Sequence, residues 1–454
     1  MTVPLDYDHP QGKTITVALK KLPSTSSSPR GSVFLNPGGP GGSGISAIES
    51  QAELYKSGDL SEVLANYDVI GFDPRGVGQS TPITCWTPED VQAILAGQTE
   101  APSPSLSTPG SAADIVAQGS HKAAACEEHT EVPEILDHMD TRSVARDMDV
   151  MRALVGDKDL NYLGYSYGTY LGATYAELFP ANTGRLVLDG AVDPSLSLGD
   201  RASGQAQGFE TALRTYVQQC QSGQAVQEGQ SCPLTGDADA GVQQVRTLIS
   251  SADQTPLKTS DPNVTVDGST IRSVVRRFLY TSEYWSFLTY ALDQAITQKD
   301  GSYIQVLYGK VTAGGSAPTF YAVNCQDIPV QGDMTSWEKE YQQILQSSPT
   351  FGASLGNQDA RCQAWGHNGT RKPAPIHAKG AAPILVVGTT GDPATPYAWS
   401  QAMADQLESG RLLTWEGNGH TAYGRAGACV QKAVDTYLTS GTLPKEGLTC
   451  TSGQ

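Results

Sequence analysis

The sequence predicts an α/β architecture: a mostly parallel central sheet with helices on both faces, interrupted by a largely helical insertion. Three observations predict it. Short apolar runs recur at 32–35, 67–72, 160–163, 185–190 and 382–388, the mark of strands buried on both faces. Helix-patterned stretches separate them, and glycine-rich loops follow several of them. From about residue 195 to 378 that rhythm gives way to helical patterns, after which the sheet pattern resumes.

Taken in order, 4–22 reads as a turn and then a strand, with alternation over Thr14–Leu19. Pro23 to Arg30 is a polar loop. The strand at Ser32–Leu35 empties into NPGGPGGSG at 36–44, and a helix follows through about Leu54. The strand at Tyr67–Phe72 leads into DPRGVGQS at 73–80. Residues 97–120 are rich in Ser, Pro, Gly and Ala and read as a surface excursion between Cys85 and Cys126. Thr141–Val155 is helical, with Val144, Met148, Met151, Leu154 and Val155 at helical spacing. A strand at Leu160–Leu163, a glycine turn, a helix at Thr169–Leu178 and a strand at Arg185–Gly190 complete the first part. The insertion shows helical patterns at 202–221, 239–252, 268–298 and 334–346. Then come a strand, a helix at Tyr397–Leu407, a strand at Arg411–Trp415 and a helix at Ala428–Leu438. The expected organisation is a core in two parts, 1–194 and 379–454, with a helical lid, 195–378, between them.

Charge narrows the function. The 454 residues carry 47 acidic and 30 basic side chains, a formal net charge of −17. Nucleic-acid binding needs a basic footprint, so that class is excluded, and an anionic membrane surface is disfavoured. No apolar run reaches the roughly 18 residues of a spanning helix. Eight cysteines (85, 126, 220, 232, 325, 362, 429 and 450) form no C-x-x-C, and no H-x-H or H-E-x-x-H accompanies them, so no metal site and no cofactor is expected. Their even number suggests four disulfides in an oxidising compartment, and their order suggests neighbours: 85–126, 220–232, 325–362 and 429–450. The first residues have neither a basic nor an apolar leader segment, so an exported protein has had its leader removed.

The chemistry centres on Gly164-Tyr165-Ser166-Tyr167-Gly168, a G-x-S-x-G between strand and helix. That context places Ser166 at a strained turn with its hydroxyl exposed. A serine needs a positioned base. Of the seven histidines (9, 121, 129, 138, 367, 377 and 420), only His420 follows a late sheet strand, in Gly417-Asn418-Gly419-His420. Asp392, after the strand at 384–387, is the expected acid; Asp189 and Asp193 are its rivals. The order Ser, Asp, His is that of the α/β-hydrolase fold. The oxyanion donors are expected from the backbone of Tyr167 and from the glycine loop. In that loop Pro40 has no N–H, which makes Gly39 the best single choice. Asp73-Pro74-Arg75-Gly76 reads as a charged pair fixing a loop beneath the site, and Tyr280, Tyr284, Trp285 and Phe287 as lid core.

NPGGPGGSG at 36–44, GFDPRGVGQS at 71–80, LGYSYGTYLGATYAELFP at 163–180, LVLDGAVDP at 186–194, GDPATP at 391–396 and GNGH at 417–420, opened by VPLDYDHP at 3–10, resemble the secreted bacterial tripeptidyl aminopeptidases, relatives of proline iminopeptidase. The resemblance spans essentially the whole chain and is least diagnostic in the lid. It implies export, disulfides, and an exopeptidase that removes short peptides, typically tripeptides, from the free N-terminus of peptides or proteins. Ser166, Asp392 and His420 match the family's triad, and Gly39 and Tyr167 its oxyanion donors. An aminopeptidase must also receive an ammonium group; the candidate lid carboxylates are Glu283 and Asp327. The alternatives are a single-residue, proline iminopeptidase-like aminopeptidase and a carboxylesterase or lipase on the same scaffold.

Overall fold

Along Ser32–Asn36 every residue is buried, because this strand is covered on both faces. Val33 and Leu35 meet one helical layer and Phe34 the other. The same alternation runs across the sheet: Leu35, Leu163, Val187 and Leu385 are register partners from strand to strand and share one apolar face.

The computed structural model describes all residues apart from 88, 90–91, 93–109, 313–316 and 453–454. In the first part the strands are β1 (Thr2–Pro4), β2 (Thr14–Thr16), β3 (Leu19–Leu22), β4 (Ser32–Asn36), β5 (Asp68–Phe72), β6 (Leu160–Tyr165) and β7 (Thr183–Asp189). Then follow β8 (Leu257–Lys258), β9 (Thr265–Val266), β10 (Ile384–Gly391), β11 (Gly410–Asn418) and β12 (Thr449–Thr451). Eight of them form one sheet in the order β12-β11-β10-β7-β6-β4-β5-β3, parallel except for β3. The loops after β4, β6, β7, β10 and β11 therefore leave the same edge, where open α/β sheets place their ligands.

Several elements differ from expectation. The strand expected over 14–19 is two strands: β2 pairs with β1, and β3 joins the edge of the main sheet. The helix after the first glycine loop is broken at Gln51 into Gly44–Ser50 and Ala52–Ser57. The described part of the excursion is a helix, Ala112–His129, N-capped by Ser111; Ile115, Ala123 and Cys126 form its buried stripe, and 97–109 lie outside the described residues. The helix expected over 268–298 stops at Leu279 and restarts at Trp285, which frees the carbonyl of Tyr280.

Between β7 and β10 helices dominate. Leu198–Gln221, Ala238–Gln254, Gly268–Leu279 and Trp285–Asp293 enclose an apolar core of their own around Phe209, Tyr216, Val275 and Trp285. The later helices Ala317–Asp327 and Gln358–Trp365 instead place Tyr321, Cys325 and Trp365 in the main core. All four disulfides join the expected neighbours, Cys85–Cys126, Cys220–Cys232, Cys325–Cys362 and Cys429–Cys450. Each contributes about 2–4 kcal/mol, chiefly by restricting the unfolded chain. Among the described residues no helix is long and apolar enough to cross a membrane.

Asp73 and Arg75 do not pair with each other. Arg75, fully buried, makes two 2.8 Å bonds to Asp147 and donates to the carbonyls of Pro4, Leu5 and His138. Asp73 accepts from the Ser43 hydroxyl and from the N–H groups of Ile45 and Gln79. One residue ties the N-terminal segment to the core; the other fixes the end of the glycine loop.

Candidate active site

Strand β6 ends at Tyr165 and the helix Tyr167–Leu178 begins two residues later, leaving Ser166 alone in the turn with φ 56° and ψ −125°. A non-glycine residue at positive φ is strained and persists only where its surroundings fix it. Here the Ser166 N–H donates to the Asp189 carbonyl at 2.9 Å, and Thr169 caps the Ser166 carbonyl through its N–H (2.9 Å) and its hydroxyl (2.6 Å). The flanking glycines are sterically required. A Cβ on Gly164 would lie 2.5 Å from the Gly168 carbonyl oxygen, and one on Gly168 would lie 2.7 Å from that of Asn36.

His420 and Asp392 meet after β11 and β10. His420 Nδ1 lies 2.9 Å from both oxygens of the buried Asp392 carboxylate. A carboxylate accepts, so Nδ1 is the donor, and in the neutral imidazole this tautomer leaves the lone pair on Nε2. Asp392 also receives the N–H groups of Ala394 and Thr395 (2.9 Å each), the Thr395 hydroxyl (3.0 Å) and the Thr421 N–H (3.2 Å). That donor set fixes the carboxylate's orientation and compensates its burial. The rival acids are committed elsewhere. Asp189 accepts from the N–H groups of Ala422 and Tyr423, and Asp193 from Ser195 and Gln406. Asp189 thus holds Ser166 through its carbonyl and the stretch after His420 through its carboxylate. Burial pushes that carboxyl up to about 6, against the backbone donors that favour its charge. Gly190 passes just beneath the imidazole: a Cβ there would come within 3.3 Å of His420 Cε1.

The glycine loop lies against the serine. A Cβ on Gly38 (φ +92°) would stand 2.9 Å from Ser166 Cβ and 3.1 Å from the Tyr167 nitrogen. The Gly38 N–H is used by Asn36 Oδ1 at 2.9 Å. Among the described residues no acceptor is paired with the N–H of Gly39 or of Tyr167. Two free donors therefore flank the turn that carries Ser166, the arrangement that a tetrahedral oxyanion needs.

Family models match residues 31–231 as an alpha/beta hydrolase fold and 348–450 as a TAP-like protein. The serine protease Hip1 of Mycobacterium tuberculosis is 32% identical over 99% of this chain and 86% of its own length. Carboxylesterase B of the same organism is 34% identical over 99% of this chain and 85% of its own length. The tripeptidyl aminopeptidase of Streptomyces lividans is 32% identical over 99% of this chain and 82% of its own length. The chain belongs to the tripeptidyl aminopeptidase-like family of α/β-hydrolases. It is a serine hydrolase.

In this tripeptidyl aminopeptidase-like enzyme the insertion touches the His420 loop directly. The His420 N–H donates to the Tyr280 carbonyl at 2.7 Å, and the Tyr280 ring stands edge-on to the imidazole at 5.3 Å. Ser282 donates to the Asn418 carbonyl, and the half-exposed Glu283 pairs with Arg425 at 3.1 Å. Asp327 is linked to the turn through Thr141. It accepts from the Thr141 N–H (2.7 Å) and hydroxyl (2.6 Å), and the Thr141 oxygen in turn contacts the Tyr167 hydroxyl. Burial pushes the Asp327 carboxyl up to about 7. The two carboxylates singled out in the sequence thus share no partner among these contacts. Of the aromatics, Trp285 lies in the apolar core of the helices between β7 and β10, Tyr280 packs on His420, and Tyr284 and Phe287 are exposed.

Sequence reasoning missed Thr395, Thr141 and the Tyr280 carbonyl as partners of the site. Thr395 stands inside the GDPATP stretch and was within reach of it. Thr141 and Tyr280 are brought in only by long-range packing, and no local pattern marks them.

Proposed function

We propose that this enzyme is a serine exopeptidase that releases short peptides, tripeptides foremost, from a free N-terminus through an acyl-enzyme. Ser166 Oγ attacks the scissile carbonyl, His420 Nε2 takes its proton and later returns it to the leaving amine, and Asp392 holds Nδ1–H in place. The oxyanion is held by the Gly39 and Tyr167 N–H groups. The observation that carries the reading is the His420–Asp392 contact, 2.9 Å to both oxygens, beside a serine in a strained strand-to-helix turn. The insertion 195–378 serves as the lid that sets how much peptide fits.

The peptide substrate rests on the relatives named serine protease and tripeptidyl aminopeptidase. For the amine we favour Glu283, whose carboxylate is half exposed beside the His420 loop, with Asp327 as the alternative. The oxygens of Asp327 are engaged by Thr141, a role that positions Tyr167. Four disulfides support an oxidising, extracytoplasmic location.

A ladder of chromogenic peptides one to four residues long, each with a free or an acetylated amine, tests the reading. Fastest cleavage of the free three-residue member is expected, with a fall on acetylation. Preference for the one-residue member indicates an iminopeptidase-like enzyme. Equal cleavage of free and acetylated peptides, or of simple esters alone, indicates the carboxylesterase reading, which the 34% identical carboxylesterase B supports. Glu283→Gln is expected to raise KM for free-amine peptides about five- to tenfold and to leave KM for acetylated ones unchanged, a size suited to a partly exposed ion pair.

A further inference from the structure

Arg201 stands in the first turn of the helix Leu198–Gln221, between the nucleophile helix and the acid loop. One turn later Gln205 donates to the Ala394 carbonyl, two residues past Asp392. The guanidinium lies over the Tyr170 ring, 5.2 Å from its centroid, and Tyr170 packs edge-on against Tyr167, the residue after Ser166. Its Nε and Nη2 are buried and have no hydrogen-bond partner among the described residues. These two atoms form one edge of the guanidinium. Their N–H bonds are parallel and match the two oxygens of a carboxylate.

A guanidinium whose donor edge is buried and bare is costly unless something fills that edge. Among the described residues nothing does. Asp327 and Asp193 lie within electrostatic range of Arg201, but Asp327 is taken by Thr141, and Asp193 by Ser195 and Gln406. Arg142 and Arg371 also act on the Tyr170 side of the site, opposed by Asp327 and, more weakly, by Asp140. Asp140 is itself committed to capping Ser143.

We infer that the free edge of Arg201 receives a carboxylate of the substrate, which makes Arg201 a specificity-determining residue. This rests on the exopeptidase reading only for the peptide context; the recognition itself asks for a carboxylate near the scissile acyl group. Two sources share that chemistry: an acidic side chain of the peptide, and the C-terminal carboxylate of a short peptide.

The test begins with the wild-type enzyme. Free-amine tripeptide p-nitroanilides with Glu or Gln at each position in turn probe the side chain. Short peptide acids against their C-terminal amides probe the terminus. Mono-p-nitrophenyl glutarate against p-nitrophenyl valerate probes the carboxylate without a peptide. The carboxylate member of at least one pair is expected to show kcat/KM about tenfold higher or more, the scale of a charged hydrogen-bonded contact. Arg201→Gln is expected to bring that ratio near one, and Arg201→Lys, a point charge without the fork, to keep only part of it. Ratios near one throughout in the wild type, or a ratio that survives in Arg201→Gln, overturn the proposal. If Arg201→Gln does not fold by circular dichroism, the wild-type ratios and Arg201→Lys decide: an undiminished ratio in the lysine variant overturns it. Esters showing the ratio while no peptide is cut would sink the exopeptidase reading and leave Arg201 standing. Peptides cut without any ratio would do the reverse.

Discussion

The loops at the carboxyl edge of the sheet and the helices that face them treat their polar groups in opposite ways. At the sheet edge Asp392 is surrounded by donors, Asp189 serves both Ser166 and the loop after His420, and both potential oxyanion donors are set by backbone alone. On the facing side nothing among the described residues fills the donor edge of Arg201, Asp327 is buried with its carboxyl pushed up to about 7, and Glu283 is held by one exposed ion pair. The contrast separates two tasks. Groups that do the same chemistry on every substrate are preorganised by the fold, so nothing has to reorganise in the transition state. On the proposed reading, Arg201 is the group on the facing side that is left to be completed by the substrate.

The contrast is broken most directly at the sheet edge. Ser166→Ala is expected to lower kcat by about 10⁴ or more with the fold intact, measured as turnover beside a circular dichroism spectrum. Asp392→Asn should cost about 10³–10⁴ in kcat, because an amide at that position no longer fixes the Nδ1–H tautomer and also presents an N–H towards the donors of Ala394, Thr395 and Thr421. Near-normal turnover in either variant would remove the assignment. Gly38→Ala is expected to reduce kcat about a hundredfold. The added methyl would stand 2.5 Å from the Tyr165 carbonyl oxygen and 2.9 Å from Ser166 Cβ, at a φ that alanine avoids. An active Gly38→Ala enzyme would show that the loop can retreat without loss, and the oxyanion role of Gly39 would have to be given up.

The same contrast explains what could be read from the sequence. The strands, the order Ser166, Asp392, His420, the glycine loop and the neighbour pairing of the cysteines were legible because each is a local pattern: buried apolar runs, a turn with its glycines, a half-cystine near its partner. Boundaries failed where a local pattern was overruled. The polar stretch before Cys126 folds as a helix because Ile115, Ala123 and Cys126 find the core. The break after Leu279 carries no strong signal, since it is stabilised by Tyr280 meeting His420 140 residues later (420 − 280). Arg201 and Thr141 are equally silent, each being an ordinary residue near a helix start whose meaning comes from neighbours far along the chain.

The smallest effect on turnover, and the sharpest test of the facing side, is expected at Asp327. Its carboxyl lies above the usual carboxylate value of 3.8, at about 7, because burial outweighs the two Thr141 donors. A folded value above the unfolded one means that the protein favours the protonated form. That contribution to stability is fully present below about pH 4 and is lost as the pH rises through about 7. Asp327→Asn keeps a neutral, hydrogen-bonding group of the same size and cannot ionise. Melting temperatures of the two proteins measured from pH 5 to 8 should therefore diverge, the variant gaining on the wild type as the pH rises. Asp140 opposes ionisation of Asp327 and Arg201 assists it, so Arg201→Gln should move the divergence to higher pH. A difference that does not change with pH would mean that Asp327 stays charged in the folded protein. A permanently charged carboxylate at that position would strengthen its own claim, over that of Glu283, to receive the substrate amine.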